Sequence, residues 1–323
     1  MISKSCLGCY QPLDAESEEY HKKCSRRLFG VETPPVVAFG SEQLEELAKA
    51  SLSRHLGITG VQPKVAVDLQ RQKEDPAHRL MIVGLWGNFI LKPPSPRFPE
   101  MPVVEDATMH MAEAAGITTA LHGLIRLKSG ELAYVTRRFD REKKRSKITK
   151  IAVEDFCQLS GLLTERKYKT SMEKAGKIIL RYSSNSGLDV VTFFDITLFS
   201  FLVGNADMHL KNFSLMTKAN GEIGLAPAYD LVSTRLMPIK DAEEMALTIN
   251  EKKARLTRED FEILGQTLGM QRRAVENSFE RLGQAIPKIK SVVSRSFLSK
   301  EFKTRCEELI NSRATRLLFR TTP

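Results

Sequence analysis

Tryptophan occurs once and tyrosine six times in these 323 residues. No segment resembles a base-reading helix or an aromatic stacking platform for nucleic acid. Cysteine is also sparse. Five are present, three of them within the first 24 residues, and that is too few and too crowded for a disulfide framework. No apolar stretch is long enough to cross a bilayer, since the longest, Val190 to Val203, is interrupted by Asp195. Met1 to Tyr10 holds no apolar signal core, so a cytoplasmic location is expected, with no membrane partner. Internal repeats and long low-complexity segments are missing as well. Only Pro93 to Pro102 stands out, as a proline-rich turn region.

What is present is basic. Lys and Arg number 49 against 39 Asp and Glu, a net charge of +10, which raises the encounter rate with anionic partners. Much of the excess is local. Eight Lys or Arg lie between Arg137 and Lys150 against Asp140 and Glu142, and Arg305, Arg313, Arg316 and Arg320 follow near the end. The run reads as a solvated face with a flexible connection between lobes. The functional alternative is contact with an acidic partner, or with nucleic acid through its phosphates alone.

The chain divides into a sheet-rich half and a helical half. Lys64 to Leu69, Leu80 to Val83, Phe89 to Lys92, Leu121 to Leu127 and Glu131 to Phe139 alternate and carry β-branched residues, as strands do. Val103 to Ala115 reads as a helix among them, ended by Gly116. After residue 150 helices are expected at Val153 to Leu163, Ser171 to Arg181, Thr192 to Val203, Arg258 to Leu268, Arg272 to Ala285 and Ser299 to Leu318. Thr257 and Asp260 are spaced as a capping box. The expected class is α+β, a two-lobed kinase-like fold with residues 1–30 as a small Cys/His knuckle, 31–141 as the N-lobe and 142–323 as the helical C-lobe.

The most informative stretch runs from Gly204 to Phe213, with Tyr229-Asp230-Leu231 beyond a strand-like insert. Asp207 and Asn212 stand five apart, the spacing of a protein-kinase catalytic loop, although no His-Arg pair precedes the Asp. One carboxylate can accept a hydroxyl proton, while an amide oxygen and a second carboxylate, Asp230, hold Mg²⁺ against phosphates. The plainer alternative is a polar loop whose Asp and Asn cap turns. Packed elements on both sides favour the chemical reading, because catalytic residues tend to sit on loops held by such a scaffold.

A second cluster opens the chain. Cys6 and Cys9, then His21 and Cys24, supply four soft ligands in two close-spaced pairs, as tetrahedral Zn²⁺ takes. A closed four-ligand site would be structural. The alternative is three reduced thiols on a mobile terminus. Cys157 and Cys306 fall in helical patterns and read as core.

Several blocks, taken together, resemble the HipA-like serine/threonine kinases of bacterial toxin–antitoxin systems. They are the Gly-Asn-x-Asp-x-His-x-Lys-Asn-Phe-Ser run, Ala-Tyr-Asp-Leu downstream, Ile58 to Lys64, Phe89 to Pro93, Arg137 to Arg141, Glu154 to Leu159, and Lys167-Tyr168. They keep the family's order from about residue 50 to 235. The resemblance implies ATP and Mg²⁺ as cofactors, with Asp207 as base and Asn212 and Asp230 as metal ligands. Lys211 would neutralise the γ-phosphate, and Lys92, positioned by Glu105, would meet the α- and β-phosphates. Thr59, Gly60, Val61, Gln62 and Lys64 would form the phosphate-side loop, Arg137, Arg138 and Phe139 the adenine edge, and Tyr229 would flank the metal site. His209 either faces the nucleotide or packs the loop through backbone bonds. The family loop carries a serine that is autophosphorylated. Here Thr59 stands at that position, with Ser51 and Ser53 as alternatives.

The resemblance further implies a toxin that phosphorylates an aminoacyl-tRNA synthetase and so halts translation and growth. It implies a small DNA-binding, HipB-like antitoxin. The chain is similar to the short HipT-like members, whose missing N-terminal subdomain is a separate HipS-like protein. Two other classes are compatible with the residues: a small-molecule phosphotransferase of the aminoglycoside- or lipid-kinase kind, and a zinc-bearing nucleic-acid adaptor with a decayed pocket. The intact Lys92, Asp207, Asn212 and Asp230 speak against decay.

Overall fold

Alternating apolar residues at Val65, Val67, Phe89, Leu91, Leu124, Ala133 and Val135 are buried on strands of one sheet, and that pattern builds the first half of the chain. The computed structural model describes residues 4–14, 17–44, 46, 64–71, 78–83, 87–144, 147–238 and 242–318. Ser51, Ser53, Thr59, Gly60, Val61 and Gln62 lie outside the described residues. The contacts divide the chain into two compact units. The first comprises Met1–Ala107, Ala120–Phe139 and Arg295–Leu298, and the second Thr108–Thr119, Asp140–Ser294 and Ser299–Pro323.

In the first unit, helix α1 (Lys22–Phe29) is followed by strands β1 (Val36–Val37), β2 (Val65–Arg71), β3 (His78–Ile82), β4 (Phe89–Lys92), β5 (His122–Arg126) and β6 (Leu132–Arg137). They form one sheet in the order β1-β3-β2-β4-β6-β5, parallel only between β1 and β3. Helix α2 (Met101–Ala114) follows β4, and its Glu105 and Asp106 are fully buried polar groups.

The second unit is organised by α5 (Ser186–Val203), which is apolar all round and buries Phe193, Phe194, Leu198, Phe199, Phe201 and Leu202. Against the sequence expectation, which took only Val190 to Val203, the helix is long and apolar enough to cross a membrane by length and composition alone, yet 61% of it is buried inside the protein. Around it lie α3 (Phe156–Leu159), α4 (Met172–Tyr182), α6 (Arg258–Thr267), α7 (Arg272–Arg295) and α8 (Lys300–Leu318), with strands β7 (Arg141–Lys144), β8 (Lys147–Lys150), β9 (Val153–Asp155), β10 (Ser214–Thr217) and β11 (Ile223–Leu225).

Four elements depart from the sequence expectation. The basic run is a two-stranded ribbon, with β7 and β8 antiparallel from Arg141 opposite Lys150 to Lys144 opposite Lys147. The expected helix over Val153 to Leu163 is instead β9 and one turn of α3. Pairing of β9 with β10, Asp155 opposite Ser214, supplies backbone bonds that a helix would forgo. Asp155 then caps α3 by accepting from the Gln158 N–H at 2.8 Å. Helix α5 begins at Ser186 rather than Thr192. Helix α7 continues past Ala285 to Arg295 despite Pro287. An interior proline costs about 3 kcal/mol. The fully buried Ile289 and Val293 beyond it each contribute about 1.5–3 kcal/mol, which outweighs that cost.

Candidate active site

The loop after α5 is pinned at both ends. Gly204 ends the helix at φ 79°, and a Cβ there would lie 2.6 Å from Leu309 and 2.9 Å from Arg235, so only glycine fits. At the other end Phe213 stacks on Phe156 at 5.5 Å and meets Phe193 at 4.8 Å. Met208 and Leu210 are buried between these anchors. Each such side chain contributes about 1.5–3 kcal/mol, so the loop is fixed by its own apolar residues.

Polar groups complete the loop. Asn205 accepts from the Asp207 N–H at 3.2 Å, and the Ala206 N–H donates to the Thr234 hydroxyl at 3.0 Å. The Asp207 carbonyl accepts from the His209 N–H at 2.9 Å and from the Asn212 amide at 3.0 Å. With its NH₂ spent there, Asn212 presents Oδ1 as its ligand-capable atom. The Asp207 carboxylate is exposed, in contrast to its buried neighbours, and one oxygen accepts from the Tyr168 hydroxyl at 2.6 Å.

Asp230 sits at φ 58°, a left-handed conformation that Asp tolerates better than most residues but that still costs about 1–3 kcal/mol. Lys211 bonds Asp155 at 3.1 Å. The Tyr229 hydroxyl donates to the Lys211 carbonyl at 2.9 Å and lies 2.6 Å from the Ser214 hydroxyl. The His209 ring meets Tyr168 edge-on at 5.0 Å. Burial holds its imidazole below the ordinary range, against the charges of Asp207 and Asp230, which push it up. Burial, and then the bond to Asp207, push the Tyr168 phenol well up, with Asp230 adding to the shift. Both carboxylates therefore act on the same pair of rings. His209 Nδ1 is buried without a hydrogen-bond partner among the described residues.

The sequence had placed Asp207, Lys211, Asn212, Tyr229 and Asp230 together, and all five belong to the second unit. Tyr168 and Asp155 were visible only as members of blocks that resemble the family. Nothing in the sequence said that one bonds Asp207 and the other Lys211, because those partners are 39 and 56 residues away. The donor set fits Mg²⁺, a hard cation that takes carboxylate and amide oxygens.

In the first unit, Lys92 on β4 bonds Glu105 on α2 at 2.6 Å, with side chains 9% and 0% exposed. Its ammonium also lies 5.5 Å from the Tyr134 ring centre. Lys64 immediately precedes β2, at the edge of the described residues. The N–H groups of Arg137 and Arg138 are occupied by the Leu121 and Asn88 carbonyls, both at 2.8 Å, and Phe139 follows them.

The first unit also holds the Cys/His cluster. The ligand atoms of Cys6, Cys9, His21 and Cys24 all lie within 4.8 Å of one another. Cys9 Sγ is 3.4 Å and Cys24 Sγ 3.9 Å from His21 Nδ1. Cys6 Sγ accepts from the Gly8 and His21 N–H groups at 3.4 Å. His21 Nε2 lies 2.9 Å from the Pro12 carbonyl; a proton there leaves Nδ1 as the lone pair facing the thiols. The bond to Cys6 holds the Cys9 thiol below its usual range. This set can hold a metal ion.

Comparison with known proteins bears on the family and the fold. The model of the HipA-like C-terminal domain matches residues 56–289. A Haemophilus influenzae protein named "Putative kinase" is 25% identical over 274 residues, 77% of this chain and 78% of that one. "Putative kinase Y4mE" of Sinorhizobium fredii is 30% identical over 245 residues, 72% of this chain and 57% of that one. Among solved structures, the Shewanella oneidensis MR-1 toxin–antitoxin complex of HipA, HipB and operator DNA aligns with TM-score 0.68 and 21% identity. It covers 81% of this chain, which spans 65% of that one. The Helicobacter pylori proinflammatory kinase CtkA aligns with TM-score 0.53 and 17% identity, over 71% of this chain and 87% of that one. The fold is thus α+β and kinase-like, and the chain belongs to the HipA-like C-terminal domain family.

Proposed function

We propose that the protein is an ATP- and Mg²⁺-dependent kinase that phosphorylates serine or threonine hydroxyls of a protein. The observation that carries this reading is the one exposed carboxylate on a buried, pinned loop, Asp207, with the Asn212 amide oxygen and the Asp230 carboxylate in the same unit. ATP bound with Mg²⁺ supplies the phosphoryl group. Asp207 orients the acceptor hydroxyl and takes its proton at a carboxylate oxygen. For that, the oxygen now bonded to Tyr168 either keeps its phenol or exchanges it for the acceptor. Asn212 and Asp230 would hold the cation, and Lys211, now bonded to Asp155, would neutralise charge on the γ-phosphate. Lys92, held by Glu105, carries the α- and β-phosphates. Thr59, Gly60, Val61, Gln62 and Lys64 form the phosphate-side loop, Arg137, Arg138 and Phe139 the adenine edge, and His209 packs behind Asp207.

The Shewanella neighbour, solved with HipB and operator DNA, supports a toxin role and a small DNA-binding antitoxin as partner. A separate HipS-like subdomain protein completes the proposed partner set. An aminoacyl-tRNA synthetase in the cytoplasm is the proposed substrate, and autophosphorylation at Thr59, Ser51 or Ser53 the proposed brake. We assign Zn²⁺ to Cys6, Cys9, His21 and Cys24, a closed set of soft ligands. The test is incubation with labelled ATP and a cell lysate. One labelled protein band is expected. A labelled metabolite would replace this reading with a small-molecule phosphotransferase, and no label at all would remove kinase activity from it.

A further inference from the structure

Two buried tyrosines flank the Cys/His cluster, one on each strand of chain that leaves it. Tyr10 follows Cys9 directly, and its hydroxyl donates to Asp106 on α2 at 2.5 Å. Tyr20 precedes His21 directly, and its hydroxyl donates to the Leu124 carbonyl on β5, also at 2.5 Å. The Leu7 carbonyl accepts from the Leu124 N–H at 3.2 Å, so the knuckle is stitched to the sheet edge by backbone as well. Gly123 makes room for this: a Cβ there would lie 2.6 Å from the Tyr20 hydroxyl. Tyr10 is also held at φ 61°, where a bulky residue stays only if its surroundings impose it.

The line of contacts does not stop at Asp106. Its other oxygen lies 2.7 Å from His122 Nδ1 on β5. Asp106 and Glu105 are consecutive on α2, both fully buried, and Glu105 is the partner of Lys92. A residue adjoining a cluster ligand is thus bonded to the neighbour of the residue that positions the nucleotide lysine. All of these groups lie in the first unit.

We propose that Zn²⁺ at Cys6, Cys9, His21 and Cys24 fixes Tyr10 on Asp106 and thereby positions Glu105 for Lys92, so that metal occupancy sets ATP affinity. Three thiols and an imidazole whose ligand atoms lie within 4.8 Å of one another form a set that a structural zinc ion would tie together, adding its binding energy to folding. Binding deprotonates the thiols and releases the protons to solvent. Once the ion leaves, the turn at Cys6 to Cys9 rests on its backbone bonds, among them Tyr10 N–H to the Cys6 carbonyl at 2.9 Å, and Tyr10 is held less firmly in its strained conformation. Asp106 then loses a donor, and a buried carboxylate short of a donor shifts to find one, carrying Glu105 with it. Tyr10 and Asp106 are in this view positioning residues. The inference rests on the zinc assignment and on Lys92 as a nucleotide ligand.

The full chain, purified without chelator, is analysed for metal and titrated with ATP as isolated, after chelator stripping, and after ZnCl₂ is returned. About one Zn²⁺ per chain is expected, with ATP affinity lower in the stripped protein and restored by Zn²⁺. Tyr10→Phe keeps the ligands and removes only the hydroxyl. It should retain Zn²⁺ and fold with a lowered melting temperature, yet raise KM for ATP about tenfold with kcat at saturating ATP within twofold, as losing one bond to a charged group implies. Cys24→Ser should lose the ion and show the same loss of ATP affinity, without rescue by ZnCl₂. Metal-free protein whose Cys6, Cys9 and Cys24 alkylate freely in the native state would overturn the zinc assignment. Zn²⁺-loaded Tyr10→Phe with wild-type KM for ATP would overturn the coupling and leave the zinc assignment standing. A zinc-loaded wild type that binds no ATP would overturn the kinase reading and the coupling together.

Discussion

Lys92 and Glu105 in the first unit, and Asp207 in the second, are all ionisable groups, and the protein keeps them in opposite ways. The Lys92–Glu105 pair is sealed, with side chains 9% and 0% exposed. Asp207 stands in solvent on a loop whose neighbours are buried, bonded to a phenol. A sealed pair has little freedom to change partners, because each charge left alone would be uncompensated away from water. An exposed carboxylate loses little when it trades one donor for another. The first arrangement suits a fixed ligand, the second a group that must exchange a proton.

Four experiments probe that contrast. Asp207→Ala should lower phosphoryl transfer by roughly 10²–10⁴-fold, the usual contribution of a positioned base, while stability moves by about 0.5 kcal/mol or less. Transfer assays beside a thermal melt check both halves, and near wild-type transfer would remove the central assignment. Glu105→Ala should do the reverse first. It takes the carboxylate away from a buried ammonium, at a cost of about 3–5 kcal/mol, read by denaturant unfolding. Replacing both partners, Lys92→Met with Glu105→Leu, should return much of that stability without returning ATP binding. If the double variant binds ATP normally, the pair is structural only.

Tyr168→Phe removes one exposed bond to Asp207 and leaves the carboxylate in place. Transfer should fall several-fold if the phenol orients Asp207, and should rise if it competes with the acceptor hydroxyl; an unchanged rate would detach Tyr168 from the chemistry. The smallest effect concerns pH. Burial depresses the folded-state pKa of His209 below its ordinary value near 6.5. The folded protein then binds fewer protons than the unfolded chain in that window. Its contribution to stability is therefore full above pH ~6.5 and is lost as pH falls through that value toward the folded pKa. His209→Gln should flatten the dependence of the melting temperature on pH between about 7 and 5. A slope unchanged by the substitution would assign the dependence to other groups.

Local spacing made Asp207 and Asn212 legible, because five residues in one short loop leave few other geometries. Lys92 and Glu105 were legible for a similar reason, a strand end followed closely by a helix. The helix expected over Val153 to Leu163 failed because β10, some sixty residues away, offers β9 a ladder that local pattern cannot anticipate. Helix α7 outran its expected end because burial of Ile289 and Val293 outweighs Pro287, and burial is decided by what packs against a residue.

The sequence by itself determined the α+β class, a sheet-rich half before a helical half, the Asp207–Asn212 spacing with Asp230 downstream, and the pairing of four soft ligands near the start. Each is written in short-range spacing or in hydrophobic period, both of which follow from backbone geometry. Only the tertiary structure decided that Tyr168 bonds Asp207, that Lys211 rests on Asp155, and that Tyr10 reaches Asp106. These bonds join residues 39, 56 and 96 positions apart. Such contacts form because packed apolar surfaces bring distant segments together, and a buried polar group must then find whichever partner the packing supplies.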